Sequence, residues 1–229
     1  MLKKKIYNII LRKKNLVQKL VFIYNLLNRN RKKIKGTNNI VKYSNAFLKK
    51  VNFDIKGDNN IIFIEKNTRL SNLKIFIRGS NHNLHINESC IIKNTDLWFE
   101  DNDCQIIIGS KTTIEGAHIA VTEPNSIIEL GKDCMLSFGI DIRSGDSHSI
   151  IDLSTNKRIN YAKNIKIGDH VWIGAHVEIL KGSIIEDNSV VGIRSIISNY
   201  IPSNCIAAGA PARVIKKDIN WLRERIYEG

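Results

Sequence analysis

A 22-residue repeat dominates the middle of the chain. Aliphatic residues recur at that interval, and each begins a hexad whose fifth residue is Thr or Cys: Ile64, Ile86, Ile108 and Leu130. Turn sequences rich in Gly, Asn, Asp or Pro precede these hexads in the same register, at residues 57–60, 79–82, 101–104 and 123–126. Such residues favour turns because of their backbone permissiveness or their local side-chain hydrogen bonds. Short β-rich segments separate the turns, so the repeat predicts a solenoid of stacked coils rather than a globular α/β domain.

From residue 167 the period shortens to six. Six consecutive hexads, which together span residues 167–202, each begin with Ile or Val. In a triangular prism the first residue of a hexad fills the axis, and the fifth points inward near a corner. Each coil pairs its backbone with the coils above and below, about 4.8 Å away. No coil buries its apolar face alone, so the stack is stable only collectively and its ends need covers. The predicted fold is an all-β solenoid over residues 36–217.

Two segments outside the repeat are candidates for those covers. Residues 1–35 contain 12 Lys or Arg and no acidic residue, and their apolar residues follow a helical spacing: Ile6, Ile9, Ile10, Leu16, Leu20, Ile23 and Leu27. This segment is predicted to be a basic helix, too often interrupted by polar residues to span a membrane or to be a signal peptide. Residues 218–229, with Asp218 as an N-cap, are predicted to form a short closing helix.

The hexads and residues 207–215 (AAGAPARVI) resemble the left-handed β-helix hexapeptide acyltransferases. Residues 143–148 (RSGDSH), 158–160 (RIN) and 167–174 (IGDHVWIG) are most similar to capsule and polysialic acid O-acetyltransferases. The resemblance implies a left-handed parallel β-helix that forms a homotrimer and takes acetyl from acetyl-CoA in clefts between neighbouring prisms. It further implies an acceptor hydroxyl on a bacterial surface glycan, such as capsule, a sialic acid polymer or lipopolysaccharide.

His148 is the candidate catalytic base. It occupies a turn position of the repeat, as His82 does, so a purely structural turn residue is the alternative. After His148, however, the 22-residue register is lost, and residues 149–163 are predicted to form an extruded loop. Solenoids vary their function through such insertions, and histidine titrates near neutral pH. The resemblance implies that His148 takes the proton of the attacking hydroxyl and returns it to the CoA thiolate, while a hydrogen-bond donor stabilises the oxyanion.

Three further residues are candidates for this site: Trp172 as a second catalytic residue, Asp146 as the residue that orients His148, and Arg143 as an acceptor-binding residue. Asp146 could orient His148, although Asp is also a common turn residue. Trp172 points outward from its hexad, so a neighbouring subunit or a ligand is expected to cover it. The resemblance places a Trp here in the active site, and a plain trimer contact is the alternative. Arg143 is predicted to face the acceptor, especially an acidic sugar.

The later coils are predicted to bind the acetyl donor. Residues without large side chains would let the pantetheine arm lie along the backbone: Gly174, Gly192 and Ala208. Basic residues nearby would meet the CoA phosphates: Arg194, Arg213, Lys216 and Lys217. Simple solvation of these side chains is the alternative.

No metal is predicted. A zinc-binding carbonic anhydrase of the same β-helix would need three histidines on facing coils, and those of this chain do not align in that way: His82, His85, His118, His170 and His176. An N-acetyltransferase that acts on an amino sugar nucleotide and a non-catalytic scaffold remain as alternative functions.

Charge and cysteine usage limit the partners and the location. The formal net charge is +13, but outside residues 1–35 there are 23 basic and 22 acidic residues, so no nucleic acid partner is expected. The basic segment would contact the anionic inner face of the membrane, steer a polyanionic acceptor, or be a solvated cap. The four cysteines have no paired spacing and the chain shows no export signal, so a cytoplasmic protein is predicted. If the basic segment contacts the membrane, the protein is also attached peripherally to its inner face.

Overall fold

The computed structural model, which describes residues 16–43 and 45–227, is a parallel β-solenoid. The predicted solenoid is therefore confirmed. Residues 16–27 are helical. In chain order the strands are β1 (Arg31–Lys35), β2 (Ile40–Tyr43), β3 (Phe47–Lys56), β4 (Ile61–Ile64), β5 (Arg69–Arg78), β6 (Asn83–Ile86), β7 (Ile91–Phe99), β8 (Gln105–Ile108), β9 (Thr113–Ile114), β10 (Ala117–Val121), β11 (Ile127–Leu130), β12 (Met135–Leu136), β13 (Ile140–Arg143), β14 (Ile151–Asp152), β15 (Lys157–Arg158), β16 (Ile165–Ile167), β17 (Trp172–Ile173), β18 (Glu178–Ile179), β19 (Ile184–Ile185), β20 (Val190–Val191), β21 (Ile196–Ile197), β22 (Tyr200–Ile201), β23 (Ile206–Gly209) and β24 (Ala212–Lys216).

The coils have three faces. Face 1 contains β9, β12, β17, β20 and β23, and face 2 contains β10, β13, β18 and β21. In the earlier coils the long strands β3, β5 and β7 span both of these faces. Face 3 is the sheet β2-β4-β6-β8-β11-β16-β19-β22. Alternate residues of each strand point into the prism, so the aliphatic residues that begin the hexads form a continuous buried core.

The repeated turns between faces 2 and 3 stack on one another. Gly57 has φ +133°, and a Cβ on it would lie 1.8 Å from the carbonyl oxygen of Gly79, so only glycine fits there. Two residues later in each turn, a side-chain ladder connects the coils. Asn59 Nδ2 donates to Asn81 Oδ1 at 3.3 Å, and Asn81 Nδ2 donates to Asp103 Oδ1 at 3.0 Å. These contacts explain why Gly and Asn recur in register.

The solenoid begins earlier than the predicted residue 36. β1 is already part of it and pairs in parallel with β3, from Arg31 opposite Asn52 to Lys35 opposite Lys56. The boundary was wrong because a strand at the end of a stack needs only backbone pairing on one side, so its charged side chains stay exposed. Beside β1, two asparagines bond to the same edge: Asn25 Nδ2 donates to Ala46 O and Asn30 Nδ2 donates to Leu48 O, each at 2.9 Å.

The helix at residues 16–27 exposes most of the apolar residues that were predicted to cover the end, namely Leu16, Leu20, Ile23 and Leu27. Ile6, Ile9 and Ile10 lie outside the described residues. No helix within 16–43 and 45–227 is long and apolar enough to cross a membrane.

The predicted C-terminal helix is wrong for residues 218–227, which are not helical; residues 228 and 229 are outside the described part. Trp221 is only 5% exposed and stacks on His170, with ring centroids 4.1 Å apart. Arg223 donates to Asp133 Oδ1 at 3.0 Å. In a helix these two residues, two apart, would point to nearly opposite sides, whereas an extended chain directs both to the solenoid surface.

The one strand pair outside the solenoid in the described residues lies in the predicted insertion. Between β13 and β16 the chain leaves the stack, and β14 and β15 form an antiparallel hairpin. Leu153 at its tip is 99% exposed. The hairpin therefore stands beside the corner that carries His148.

Candidate active site

His148 lies at the corner after face 2, at the foot of the hairpin, and its side chain is exposed. Its backbone is fixed on both sides. The His148 N–H donates to Asp146 O at 2.7 Å, and the His148 carbonyl accepts from Asn160 Nδ2 at 2.8 Å. Within the described part of the chain its imidazole has no hydrogen-bond partner, so both ring nitrogens are available to a substrate.

Asn160 closes the foot of the hairpin. Besides His148 O, its Nδ2 donates to Asp146 Oδ2 at 2.8 Å, and its Oδ1 accepts from Ile150 N at 2.7 Å. Lys181 Nζ donates to the Asp146 carboxylate and to Asn160 O. These bonds make Asn160, which is 7% exposed, the centre of the network.

Asp146 acts on the backbone of His148 rather than on its ring. The carboxylate bonds to Lys181 and Asn160. The hydrogen bond from Lys181 is the main reason that the pKa of Asp146 lies below its usual value. Partial burial opposes this lowering, and a smaller contribution from the Asn160 hydrogen bond adds to it. The charged carboxylate thus holds Asn160, and Asn160 holds His148 O.

The hairpin is also tied to the preceding coil. Arg158 on β15 makes a bidentate ion pair with Glu123, with Nη1 to Oε2 at 3.0 Å and Nη2 to Oε1 at 2.5 Å. Both side chains are largely shielded from solvent, and paired N–H donors of this geometry are among the stronger ion contacts. The foot and the stem of the insertion are therefore both anchored.

Trp172 lies on face 1, whereas His148 lies beyond face 2, so the fold does not bring these two residues to the same face of one chain. Trp172 is 39% exposed, and the ring of Trp221 lies 6.0 Å from it. The C-terminal segment of the same chain therefore provides part of the cover that the sequence led us to expect from a neighbour or a ligand.

A cluster beneath Trp221 holds this segment in place. His170 Nδ1 lies 2.7 Å from Asp133 Oδ2 and His170 Nε2 lies 2.9 Å from Trp221 O. Trp221 Nε1 donates to His170 O at 2.8 Å. Partial burial alone would raise the pKa of Asp133, but hydrogen bonds from His170 and Arg223 outweigh it and keep the pKa low.

The predicted donor-binding residues form one strip. On successive coils, Gly174 follows β17, Gly192 follows β20 and Ala208 follows the start of β23. Backbone hydrogen bonds hold these coils in register: Gly174 N donates to Val191 O and Gly192 N donates to Ala207 O, each at 2.8 Å. A Cβ on Gly192 would lie 2.9 Å from Ala208 Cβ, so the coil stacking itself requires the small residue. The result is a strip without large side chains.

Exposed basic side chains border this strip. Arg213 on β24 pairs across from Ala208 on β23, and Arg194 lies at the corner just after Gly192. Lys216 and Lys217 are exposed at the end of β24 and just beyond it. Arg143 is separate from this group. It ends β13 and binds Asp141 through Nε and Nη2, at 2.7 and 2.9 Å.

Comparison with known proteins identifies the family. Over 196 residues the chain is 36% identical to the polysialic acid O-acetyltransferase of Neisseria meningitidis, which covers 84% of this chain and 90% of that protein. The chain belongs to this O-acetyltransferase family. It is also 40% identical over 119 residues to the polysialic acid O-acetyltransferase of Escherichia coli O1:K1, an alignment that spans 38% of that longer relative. The solved structure of the polysialic acid O-acetyltransferase OatWY matches with a TM-score of 0.83 at 33% identity, over 87% of this chain and 94% of that one. No family model matches.

The predicted enzyme class is thus confirmed: the chain is an acetyltransferase of the hexapeptide-repeat type. Its four cysteines are free and buried. Burial raises the pKa of Cys90 and Cys104 to about 11 and that of Cys134 to about 12, and it raises the pKa of Cys205 as well. Because the thiolate is the nucleophile, none of them is poised for covalent acetyl transfer. No group of three or more His, Cys, Asp or Glu that could hold a metal ion is found in residues 16–43 and 45–227.

The acetyltransferase should depend on Asn160 for the placement of its histidine. Asn160→Ala removes the hydrogen bonds to His148 O and Ile150 N and one of the two donors to Asp146, which keeps Lys181. Each lost hydrogen bond costs about 0.5–1.5 kcal/mol net. We expect kcat/KM for acetyl transfer to fall by about 10- to 100-fold. Each factor of ten in rate corresponds to about 1.4 kcal/mol of lost transition-state stabilisation. Steady-state kinetics, with far-UV circular dichroism as the folding check, measure this.

Lys157→Ala is the matched control, because Lys157 is an exposed residue of the same hairpin. It should leave kcat/KM unchanged. Equal activity of Asn160→Ala and wild type would contradict the positioning role.

Proposed function

We propose that this acetyltransferase moves the acetyl group of acetyl-CoA to a hydroxyl of an acidic bacterial surface glycan, with a sialic acid polymer as the first candidate. The observation that carries the proposal is His148: an exposed imidazole with a fixed backbone, beside the inserted hairpin of a solenoid. Relatives that are similar over most of their length, and that are named polysialic acid O-acetyltransferases, support the acceptor class.

The reaction needs one base and no covalent enzyme intermediate. The acceptor oxygen attacks the thioester carbonyl carbon while His148 takes the hydroxyl proton. The tetrahedral intermediate then expels the CoA thiolate, which receives that proton from His148. The high pKa values of the buried cysteines support direct transfer over a thioester on the protein. A backbone N–H or side-chain donor would stabilise the oxyanion.

The strip formed by Gly174, Gly192 and Ala208 would receive the pantetheine arm of acetyl-CoA. Its lack of large side chains lets a linear chain lie against the backbone, and the basic residues beside it would bind the phosphates: Arg194, Arg213, Lys216 and Lys217. This donor site begins at Gly174, two residues after Trp172, where the chain leaves face 1. It therefore lies at the corner between faces 1 and 2, whereas His148 lies at the corner after face 2.

That separation supports a homotrimer. In three parallel prisms, face 1 of one subunit can meet the His148 corner of the next, so that His148 and Trp172 line the same cleft. Trp172 would then contact the acetyl group or the acceptor across the subunit boundary. We further propose a cytoplasmic enzyme attached peripherally to the anionic inner membrane. The basic residues 1–35 and the exposed apolar side chains of residues 16–27 support this attachment.

The test is CoA release from acetyl-CoA with a panel of acceptors: polysialic acid, a sialylated lipopolysaccharide, a neutral glucan and an amino sugar nucleotide. We expect release only with the sialic acid glycans, with an O-acetyl ester in the product by NMR. Release with the amino sugar nucleotide alone would favour an N-acetyltransferase. Release with none of the four would overturn the proposed acceptor class.

A further inference from the structure

A column of outward-pointing side chains runs along face 2 toward His148, and at one position of this column the side chain is small. In successive coils, Phe76 lies beside Trp98, Trp98 beside Ala120, and Ala120 beside Arg143. Three of these side chains are large and one is a single methyl group. The gap above Ala120 is a cavity of about 220 Å³, which we call the Ala120 slot, and its lining includes Trp98, Glu100, His118, Arg143 and Ser147.

Trp98 is a rigid floor for this slot. One side of its indole ring stacks on Phe76, with centroids 3.7 Å apart and an interplanar angle of 22°. Lys74 Nζ lies over the same ring, 5.0 Å from its centroid. The other side of the ring faces the next coil, where Ala120 contributes only a methyl group and the His118 ring centroid lies 6.1 Å from that of Trp98. The part of this aromatic face that lines the cavity is available to a ligand.

The dimensions of the slot suit one sugar ring. Trp98 and Arg143 are two coils apart, which is about 9.6 Å at about 4.8 Å per coil. A ring that packs at van der Waals distance, about 4 Å, above the indole would occupy the level of Ala120. The C–H groups of a pyranose carry partial positive charge and pack favourably on the negative face of an aromatic ring.

The polar groups around the slot suit an acidic sugar. Arg143 uses Nε and Nη2 for Asp141, so its Nη1 is available for a carboxylate. Glu100 and His118 can exchange hydrogen bonds with hydroxyl groups. Ser147, the neighbour of His148, lies at the upper end, so a ring in the slot would be close to the proposed base.

We propose that the Ala120 slot is the acceptor subsite, which holds one acidic pyranose between Trp98 and Arg143. The methyl group of Ala120 sets the depth of the site, and Trp98 supplies the stacking surface. This inference rests on the proposed function and specifies its acceptor side. The specificity for a sugar ring then comes from the small side chain of Ala120, because its neighbours in the column are large.

The test fills the slot. Ala120→Leu should raise the KM for polysialic acid at least tenfold and leave the KM for acetyl-CoA unchanged, because the donor strip is on face 1. Trp98→Ala should raise the same KM about tenfold through the lost stacking. Gln105→Leu is the matched control. It puts a leucine side chain at an outward position of β8 on face 3, away from both the donor strip and the slot, and should change neither KM. Melting temperatures check the fold of each variant.

A binding measurement separates this proposal from the proposed function. Trisialic acid should change the tryptophan fluorescence of the wild type, and Trp98→Phe should remove most of that change. Transfer by the wild type with an unchanged KM in Ala120→Leu and Trp98→Ala overturns the slot and leaves the function. Binding at Trp98 without transfer supports the slot and overturns the function. Neither binding nor transfer overturns both.

Discussion

His148→Ala is expected to lower kcat for acetyl transfer by about 10²- to 10⁴-fold, the range that a positioned general base contributes. The KM for acetyl-CoA should change little, because the donor strip lies on another face of the prism. The imidazole has no hydrogen-bond partner among residues 16–43 and 45–227, so its removal should not weaken the fold. CoA release with polysialic acid as acceptor measures the effect, and thermal melting checks that stability is retained.

Two variants serve as controls for this substitution. His85 lies on face 3 and binds Glu65 at 2.9 Å, so His85→Ala should keep full kcat. His148→Gln keeps a polar side chain but has no imidazole to take the hydroxyl proton, and it should be about as inactive as the alanine variant. Activity near the wild-type level in both His148 variants would remove the residue from the mechanism.

Gly57→Ala is expected to destabilise the solenoid by about 3 kcal/mol or more. The backbone conformation at φ +133° costs a non-glycine residue of order 1–3 kcal/mol. In addition, the new methyl group would lie 1.8 Å from Gly79 O, so a neighbouring turn has to move. The free energy of unfolding from urea titration measures the loss, provided that unfolding is followed by two probes to test for partial opening of the stack.

Gly116→Ala is the comparison that isolates this cause. The nearest atom to a Cβ on Gly116 is 3.5 Å away, an ordinary contact distance. Without a clash, the substitution should be neutral or stabilise by about 0.4–1 kcal/mol through the reduced entropy of the unfolded chain. If both glycine variants lost the same stability, the stacked turn would not be the source of the effect.

The repeat was sufficient to predict the solenoid, because each hexad places an aliphatic residue on the axis and a small residue at a corner. Where the repeat ends, local patterns were a poor guide. Asp218 has the features of a helix N-cap, yet the residues after it are not helical. The extended chain lets both Trp221 and Arg223 contact the solenoid, which a helix would not allow. The charged segment Arg31–Lys35 shows no apolar pattern that would predict a strand. This end strand is specified by backbone pairing with β3 instead.

The candidate site divides in the same way. His148 could be selected from the sequence because the register breaks directly after it. Lys181 could not, because it joins the site through a contact with Asp146, 35 residues away. Ala120 gives no signal of its own either. Its importance depends on the size of Trp98 and Arg143, which are its neighbours only after the chain has coiled.

The C-terminal segment has a consequence for how the stack opens. In a solenoid each coil contacts only its neighbours, so separate parts can unfold independently. Here Arg223 bonds to Thr113 and Asp133, and Trp221 bonds to His170, across sequence separations of 51 to 110 residues. The coils that carry these residues are joined by one strap and should exchange their amide hydrogens as a single cooperative unit. Among the described residues the coils before residue 100 have no such strap, so we expect the coils around His148 to open last.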